Sequence, residues 1–279
     1  MKNFIQSELL KSAGVIQATS TTQAGNMALM PSRNKDGLAE KNLNTFFKRL
    51  GLVSLNSVTL YLLDATHSSN TAIVTYKNQK GRIILNQQNQ SILVLKKYEL
   101  NHKYRQALET SGSGQLINQI EQGVDAGICH QPNVFLGLLH ADCAPVCLYD
   151  PLTHFYTLIH AGTLGALNGI VINTLNVLKQ ECGVSPAGLI AYIGPCIADA
   201  NYNITYSVYW PIIEQIMSRQ EAEKLDLKSM IKSQLLKAGL QAEKIEVSSY
   251  CTVGNEMFFS NHSAQDPESE GRNLTIIGM

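Results

Sequence analysis

The chain has 279 residues, with 22 Lys+Arg against 22 Asp+Glu and a formal net charge of zero. With 44% hydrophobic and 16% charged residues it reads as a folded globular protein rather than a disordered one. The balance of charge supplies no overall positive field for nucleic acid or an anionic membrane, so neither is an expected partner.

The first residues, MKNFIQSE, lack the apolar run of a secretory signal, and no segment approaches the ~18 apolar residues of a membrane helix. Six cysteines stand at 129, 143, 147, 182, 196 and 251, without a CxxC pair. Their spacing suits neither a zinc finger nor a disulfide scaffold, so reduced thiols in the cytoplasm are the expectation.

Residues 1–45 are rich in Ser, Thr, Asn and Gly, which reads as a short strand leading into an irregular loop. The spacing over 38–50 (LAEKNLNTFFKRL) predicts a helix stopped by Gly51. Residues 58–63 (VTLYLL) predict a buried strand that ends near His67. The stretch from about 77 to 122, with its NQQNQ and SGSG tracts, reads as an insertion interrupted by strand-like pieces at 82–85 and 92–95. Apolar runs at 134–139 and 146–148 flank His140-Ala141-Asp142-Cys143, and 155–159 predicts a strand closed by His160. Leu164, Leu167, Val171, Leu175 and Leu178 recur at helical spacing just beyond Gly162. Strands are further predicted at 189–193, 245–248 and 274–277, with mainly helix over 205–239. Strands and helices alternate without a strict βαβ rhythm, which favours mixed sheets.

His67, Cys143 and His160 each follow or close an apolar strand, where a rigid sheet can aim side chains into a shared cavity. Two imidazoles and a thiolate suit zinc and leave a fourth position for water or substrate. The same atoms also suit a second chemistry, in which Cys143 is a nucleophile and His160 its base. In that case Asp142 is either an orienting group or a brace for its own loop. Backbone N–H groups at Gly162 offer an anion contact.

Two strings in this region, HADCAPVCLYDP (140–151) and LIHAG (158–162), resemble the laccase-domain family, also called YfiH or multicopper polyphenol oxidase-like. Further segments agree in order along the chain: STT (20–22), VDAGI (124–128), IGPCI (193–197), CT (251–252), FFS (258–260) and GR (271–272). The resemblance implies an α+β fold, a four-layer α-β-β-α sandwich with mixed sheets, shared with the necrotizing-factor toxin domain. It implies one domain over 1–279, with the 77–122 stretch inserted. It implies zinc at His67, Cys143 and His160, and phosphorolysis of purine nucleosides with phosphate as co-substrate, with adenosine deamination as a companion activity. In a second register Glu99 or His102 takes the place of His67; the position of LDATHSSN (63–70) soon after KRLGL favours His67.

Where the family carries a Trp and a cation after HAG, this chain has Thr163 and Leu164, and where it carries arginines, this chain has Gln23 and His262. Arg272 is retained. Gln23, Gly162 and Arg272 are the expected substrate-binding positions, with Lys96, Lys97 or Arg105 as possible replacements for the lost charge. Weakened phosphorolysis is the expectation, with a cysteine hydrolase or deamidase and a non-catalytic metal-binding homologue as the alternatives.

Overall fold

A computed structural model describes residues 2–29, 37–52, 59–63, 65, 67, 71–75, 91–96, 123–198, 210–214, 218–222, 225–264 and 270–279. Its strands in chain order are β1 (Phe4–Ile5), β2 (Ile16–Ser20), β3 (Thr59–Leu62), β4 (Thr71–Thr75), β5 (Ser91–Lys96), β6 (Ala126–Cys129), β7 (Val134–His140), β8 (Ala144–Tyr149), β9 (Tyr156–Ala161), β10 (Ile190–Ile193), β11 (Ile245–Val247) and β12 (Asn273–Gly278). They form a five-stranded sheet, β1-β2-β12-β7-β3, and a seven-stranded sheet, β11-β10-β8-β9-β6-β4-β5. Both are mixed: β3 with β7, β4 with β6 and β10 with β11 run parallel, and the other pairs antiparallel.

The helices are α1 (Glu8–Ser12), α2 (Ala39–Arg49), α3 (Thr163–Leu167), α4 (Ile170–Cys182), α5 (Trp210–Ile213), α6 (Arg219–Ala222) and α7 (Leu227–Lys237). Alternation along the strands creates the layers, because successive side chains of a strand point to opposite faces. On β7, Phe135 packs outward with Leu43, Phe46 and Phe47 of α2. Its neighbours Leu136 and Leu138 face Cys147, Tyr149, Tyr156 and Leu158 of the other sheet. The far face of that sheet buries Ala144, Val146, Leu148, Ile159 and Ala161 against α4 and α7. The outcome is the expected four-layer α-β-β-α sandwich. Covered on both faces, β8 and β9 are apolar almost without interruption.

Several local expectations need correction. The amino-terminal segment contains α1, whose short length depends on distant contacts. Ser7 caps it at Leu10 N, and the Glu246 carboxylate of β11 accepts from Ser7 Oγ at 2.7 Å and Leu9 N at 2.9 Å. The helix expected beyond Gly162 is two helices. Gly169 adopts a left-handed backbone, φ 84, which ends α3 and starts α4. Strands β4 and β6 had no periodic signal of their own. Within 205–239 the described helices are short except α7. The strand read at 92–95 is β5, which pairs antiparallel with β4. Residues 82–85 and the rest of the expected insertion lie outside the described residues.

Candidate metal centre

Cys143 enters the site from the turn between β7 and β8. Asp142 shapes that turn with a left-handed backbone, φ 76, a conformation short polar side chains tolerate. Its carbonyl accepts Ile197 N–H at 2.9 Å. Its buried carboxylate accepts the Thr252 hydroxyl at 2.6 Å, and the backbone N–H and Nδ1–H of His262 at 3.0 and 3.1 Å. Asp142 therefore braces its own loop and does not orient His160.

His160 lies within β9 rather than beyond its end, on the face of Tyr156 and Leu158 that looks between the sheets. His67 follows β3 with a left-handed backbone, φ 63. One fully buried carboxylate secures both. Asp125 Oδ1 accepts His160 Nδ1–H at 2.7 Å and the His67 backbone N–H at 2.9 Å. Donation from Nδ1 leaves His160 Nε2 to face the centre, an arrangement that fixes a metal-ligating tautomer. Sequence reasoning missed Asp125, although its segment, VDAGI, was one of those carrying the resemblance.

The structure brings His67, Cys143 and His160 together: their ligand atoms lie within 4.8 Å of one another, and Cys143 Sγ is 3.7 Å from His67 Nε2. Zinc bonds of ~2.0–2.3 Å at tetrahedral angles separate donors by about 3.3–3.8 Å, so this set can hold such an ion. It is the one His/Cys/Asp/Glu group of that kind among the described residues.

Gly162 makes the approach possible. A Cβ there would stand 2.7 Å from His67 Cδ2 and 2.9 Å from Cys143 Sγ. Gly162→Ala should push the donors apart at a cost of about 1–3 kcal/mol, weakening metal binding roughly fivefold to a hundredfold. Competition against a chromophoric chelator measures this; an unchanged affinity would mean the donors have room to spare.

Cys143 and His160 favour each other's charged form. Burial alone would raise the Cys143 thiol, but the His160 charge and hydrogen bonds from His160 and His67 draw it down to about 6. Burial would lower His160, but the Cys143 thiolate and Asp125 push it up to about 10. A thiolate already present in the folded protein is ready to ligate or to attack.

The remaining predicted positions are dispersed around the centre. Gln23 is exposed on a turn, Thr22–Ala24, which Thr22 pins to Met257 and Glu256 carbonyls at 2.9 and 2.7 Å. Arg272 Nη1 donates to Asn261 Oδ1 and Gly271 O, both at 2.8 Å, and its side chain is 12% exposed. Leu164 is buried in α3 at 1% exposure, so this position is part of the packing and an arginine there would be buried. Lys96 ends β5; Lys97, Glu99, His102 and Arg105 lie outside the described residues.

A profile of the family described as "Multi-copper polyphenol oxidoreductase laccase" matches residues 17–279. "Purine nucleoside phosphorylase YlmD" of Bacillus subtilis is 31% identical over 166 residues, 57% of this chain and 59% of that protein. "Purine nucleoside phosphorylase" of Bacteroides thetaiotaomicron is 30% identical over 179 residues, 61% of this chain and 66% of that protein. The aligned stretches thus span under two thirds of these curated relatives. In fold, the chain is similar to the crystal structure of YlmD from Geobacillus stearothermophilus, with a TM-score of 0.70 at 21% identity over 99% of this chain and 96% of that one. The Bacillus licheniformis hypothetical protein YfiH gives the same TM-score, 0.70, at 21% identity over 100% and 97% of the two chains.

Proposed function

The chain belongs to the family described as multi-copper polyphenol oxidoreductase laccase, and on that premise we propose that it is a zinc-dependent purine nucleoside phosphorylase. The observation that carries this reading is the convergence of His67, Cys143 and His160 within 4.8 Å, with Asp125 behind the His160 imidazole and the His67 backbone. The names of the relatives from Bacillus subtilis and Bacteroides thetaiotaomicron support the substrate class. Copper oxidation, which the family description suggests, is not supported by one three-ligand group among the described residues.

Zinc held by His67, Cys143 and His160 would act as a Lewis acid that polarises a bound oxygen and eases its deprotonation. The chain's own contribution is geometric. Asp125 fixes the His160 tautomer and the His67 backbone, Gly162 leaves the centre open, and Asp142 holds the Cys143 turn. Purine nucleoside and phosphate are the proposed substrates, with adenosine deamination as a companion reaction. We read 1–279 as one domain with an insertion at about 77–122, working in the cytoplasm. No helix among the described residues is long and apolar enough to cross a membrane.

The test is base release from inosine and adenosine by zinc-loaded protein, with and without inorganic phosphate, followed by chromatography. Free purine and a pentose phosphate should form only with phosphate present. Release indifferent to phosphate, or none at full zinc loading, removes the phosphorylase reading; ammonia without free base points to deamination alone.

A second reading has its own support, the Asp125–His160–Cys143 line with its thiolate–imidazolium pair. It is the arrangement of a cysteine hydrolase. Rapid, selective alkylation of Cys143 in zinc-loaded protein would favour it, because a ligated thiolate is shielded.

A further inference from the structure

The cysteines outside the metal centre are not equivalent. Cys129 and Cys147 look between the sheets from β6 and β8, which flank β9, so a whole strand separates them. Cys182 ends α4. Cys196 and Cys251 differ from these: they are directly paired in a parallel bridge just beyond β10 and β11. Thr252 N–H closes that bridge on Cys196 O at 3.1 Å, much as Ser248 N–H donates to Ile193 O at 2.8 Å one step earlier.

Hydrogen-bonded strands lie ~4.8 Å apart, and directly paired side chains share a face. That spacing falls inside the ~4.4–6.8 Å range of Cα separations that a disulfide spans. Cys251 Sγ already reaches across to the opposite strand, where it accepts Ala198 N–H at 3.2 Å. Cys196 Sγ–H donates to Ile197 O at 3.5 Å, so the peptide group between 197 and 198 holds both thiols. Joining them exchanges these two weak contacts for one covalent bond, through side-chain rotation between staggered rotamers. Both arms are anchored from outside. Lys228 Nζ donates to Ser248 O and Tyr250 O at 2.8 and 2.7 Å, and Ile197 N–H donates to Asp142 O at 2.9 Å. Cys196 is fully buried, whereas Cys251 is partly exposed.

We propose that Cys196 and Cys251 are a reversible disulfide site, closed by a peroxide and opened by a dithiol. Peroxide reaches the partly exposed Cys251 first. The Cys251 sulfur attacks one peroxide oxygen, the O–O bond breaks, and the other oxygen leaves with the thiol proton as water, giving a sulfenic acid. The Cys196 thiol then attacks that sulfur; the S–O bond breaks, and the hydroxyl leaves with the Cys196 proton as a second water as the S–S bond forms. The two thiols together lose two electrons and two protons, which the peroxide takes up. The bond ties together the segments that hold the Cys143 turn, because Ile197 and Thr252, the chain neighbours of the two cysteines, both donate to Asp142. None of this depends on the phosphorylase reading.

The test uses the purified protein loaded with zinc, so that Cys143 is ligated. After treatment with hydrogen peroxide it is alkylated in denaturant and digested. Mass spectrometry should find Cys196 and Cys251 peptides joined, with the mass of two hydrogens lost, and dithiothreitol should part them. The oxidised protein should melt about 5 °C or more above the reduced one, because the cross-link restricts the unfolded chain. In Cys196→Ser the sulfenic acid should persist at Cys251 and be trapped by dimedone, whereas in Cys251→Ser the buried Cys196 should stay reduced. The peptide map of the unmodified chain decides the question even where a variant fails to fold. A cross-link from either cysteine to Cys143 overturns the inference, as does Cys251 driven to sulfinic acid while Cys196 still takes up the alkylating agent.

Discussion

Cys143→Ala protein should leave purification with under a tenth of the zinc found in the unmodified chain and with no measurable phosphorolysis. Cys143 supplies the sulfur of a three-residue donor set, 3.7 Å from His67 Nε2. Structural zinc sites bind with ~10–16 kcal/mol spread over four ligands, so one ligand accounts for about 3 kcal/mol, roughly a hundredfold in affinity. With alanine at 143 the two imidazoles face a gap without the thiolate donor. Elemental analysis by plasma mass spectrometry reads the metal directly, and the thermal midpoint with added zinc gives a second, activity-free readout. Zinc at the unmodified level in Cys143→Ala would remove Cys143 from the ligand set.

The second large effect is expected at Asp125, which touches no proposed substrate. Its Oδ1 accepts from His160 Nδ1 and from the His67 backbone, at 2.7 and 2.9 Å, inside a fully buried setting. Asp125→Ala leaves two N–H donors buried without that acceptor, each costing about 1–3 kcal/mol. Loss of a carboxylate behind a ligating histidine typically weakens metal binding ~10–100-fold. Because His67 holds a left-handed backbone, the alanine variant should also release that residue from its position. Asp125→Asn keeps the shape and one acceptor but loses the charge, so it should fall between the two proteins. A zinc affinity in Asp125→Ala within twofold of the unmodified chain would show that the histidines are positioned without it.

Much of this architecture was legible along the chain. The helix expected over 38–50 is α2, Ala39–Arg49, because its apolar residues recur at helical spacing and Gly51 follows. The apolar runs around HADC are β7 and β8, and the run before HAG is β9, where burial on both faces leaves an unbroken apolar signal. Strand β6, only AGIC, has too few residues for a period to register. Helix α1 owes its start to Glu246, 239 positions away from Ser7, so no local window contains its cause. Gly169 interrupts a stretch whose apolar residues keep a continuous helical period, and only its backbone angle reveals the break between α3 and α4.

The candidate centre divides along the same line. The sequence by itself determined the candidate donor types, because Cys143 and His160 stand in short motifs beside strongly apolar strands, and His67 follows another. Only the tertiary structure decided that the three donors meet, that Asp125 rather than Asp142 stands behind His160, and that Leu164 is buried packing. It also showed that the His262 ring and backbone hydrogen-bond to the Asp142 carboxylate. The physical reason is that composition and periodicity report on burial and backbone form, which are local. The state of an ionisable side chain depends on which charges and donors reach within a few ångströms, and here those partners come from segments 35 to 120 residues apart.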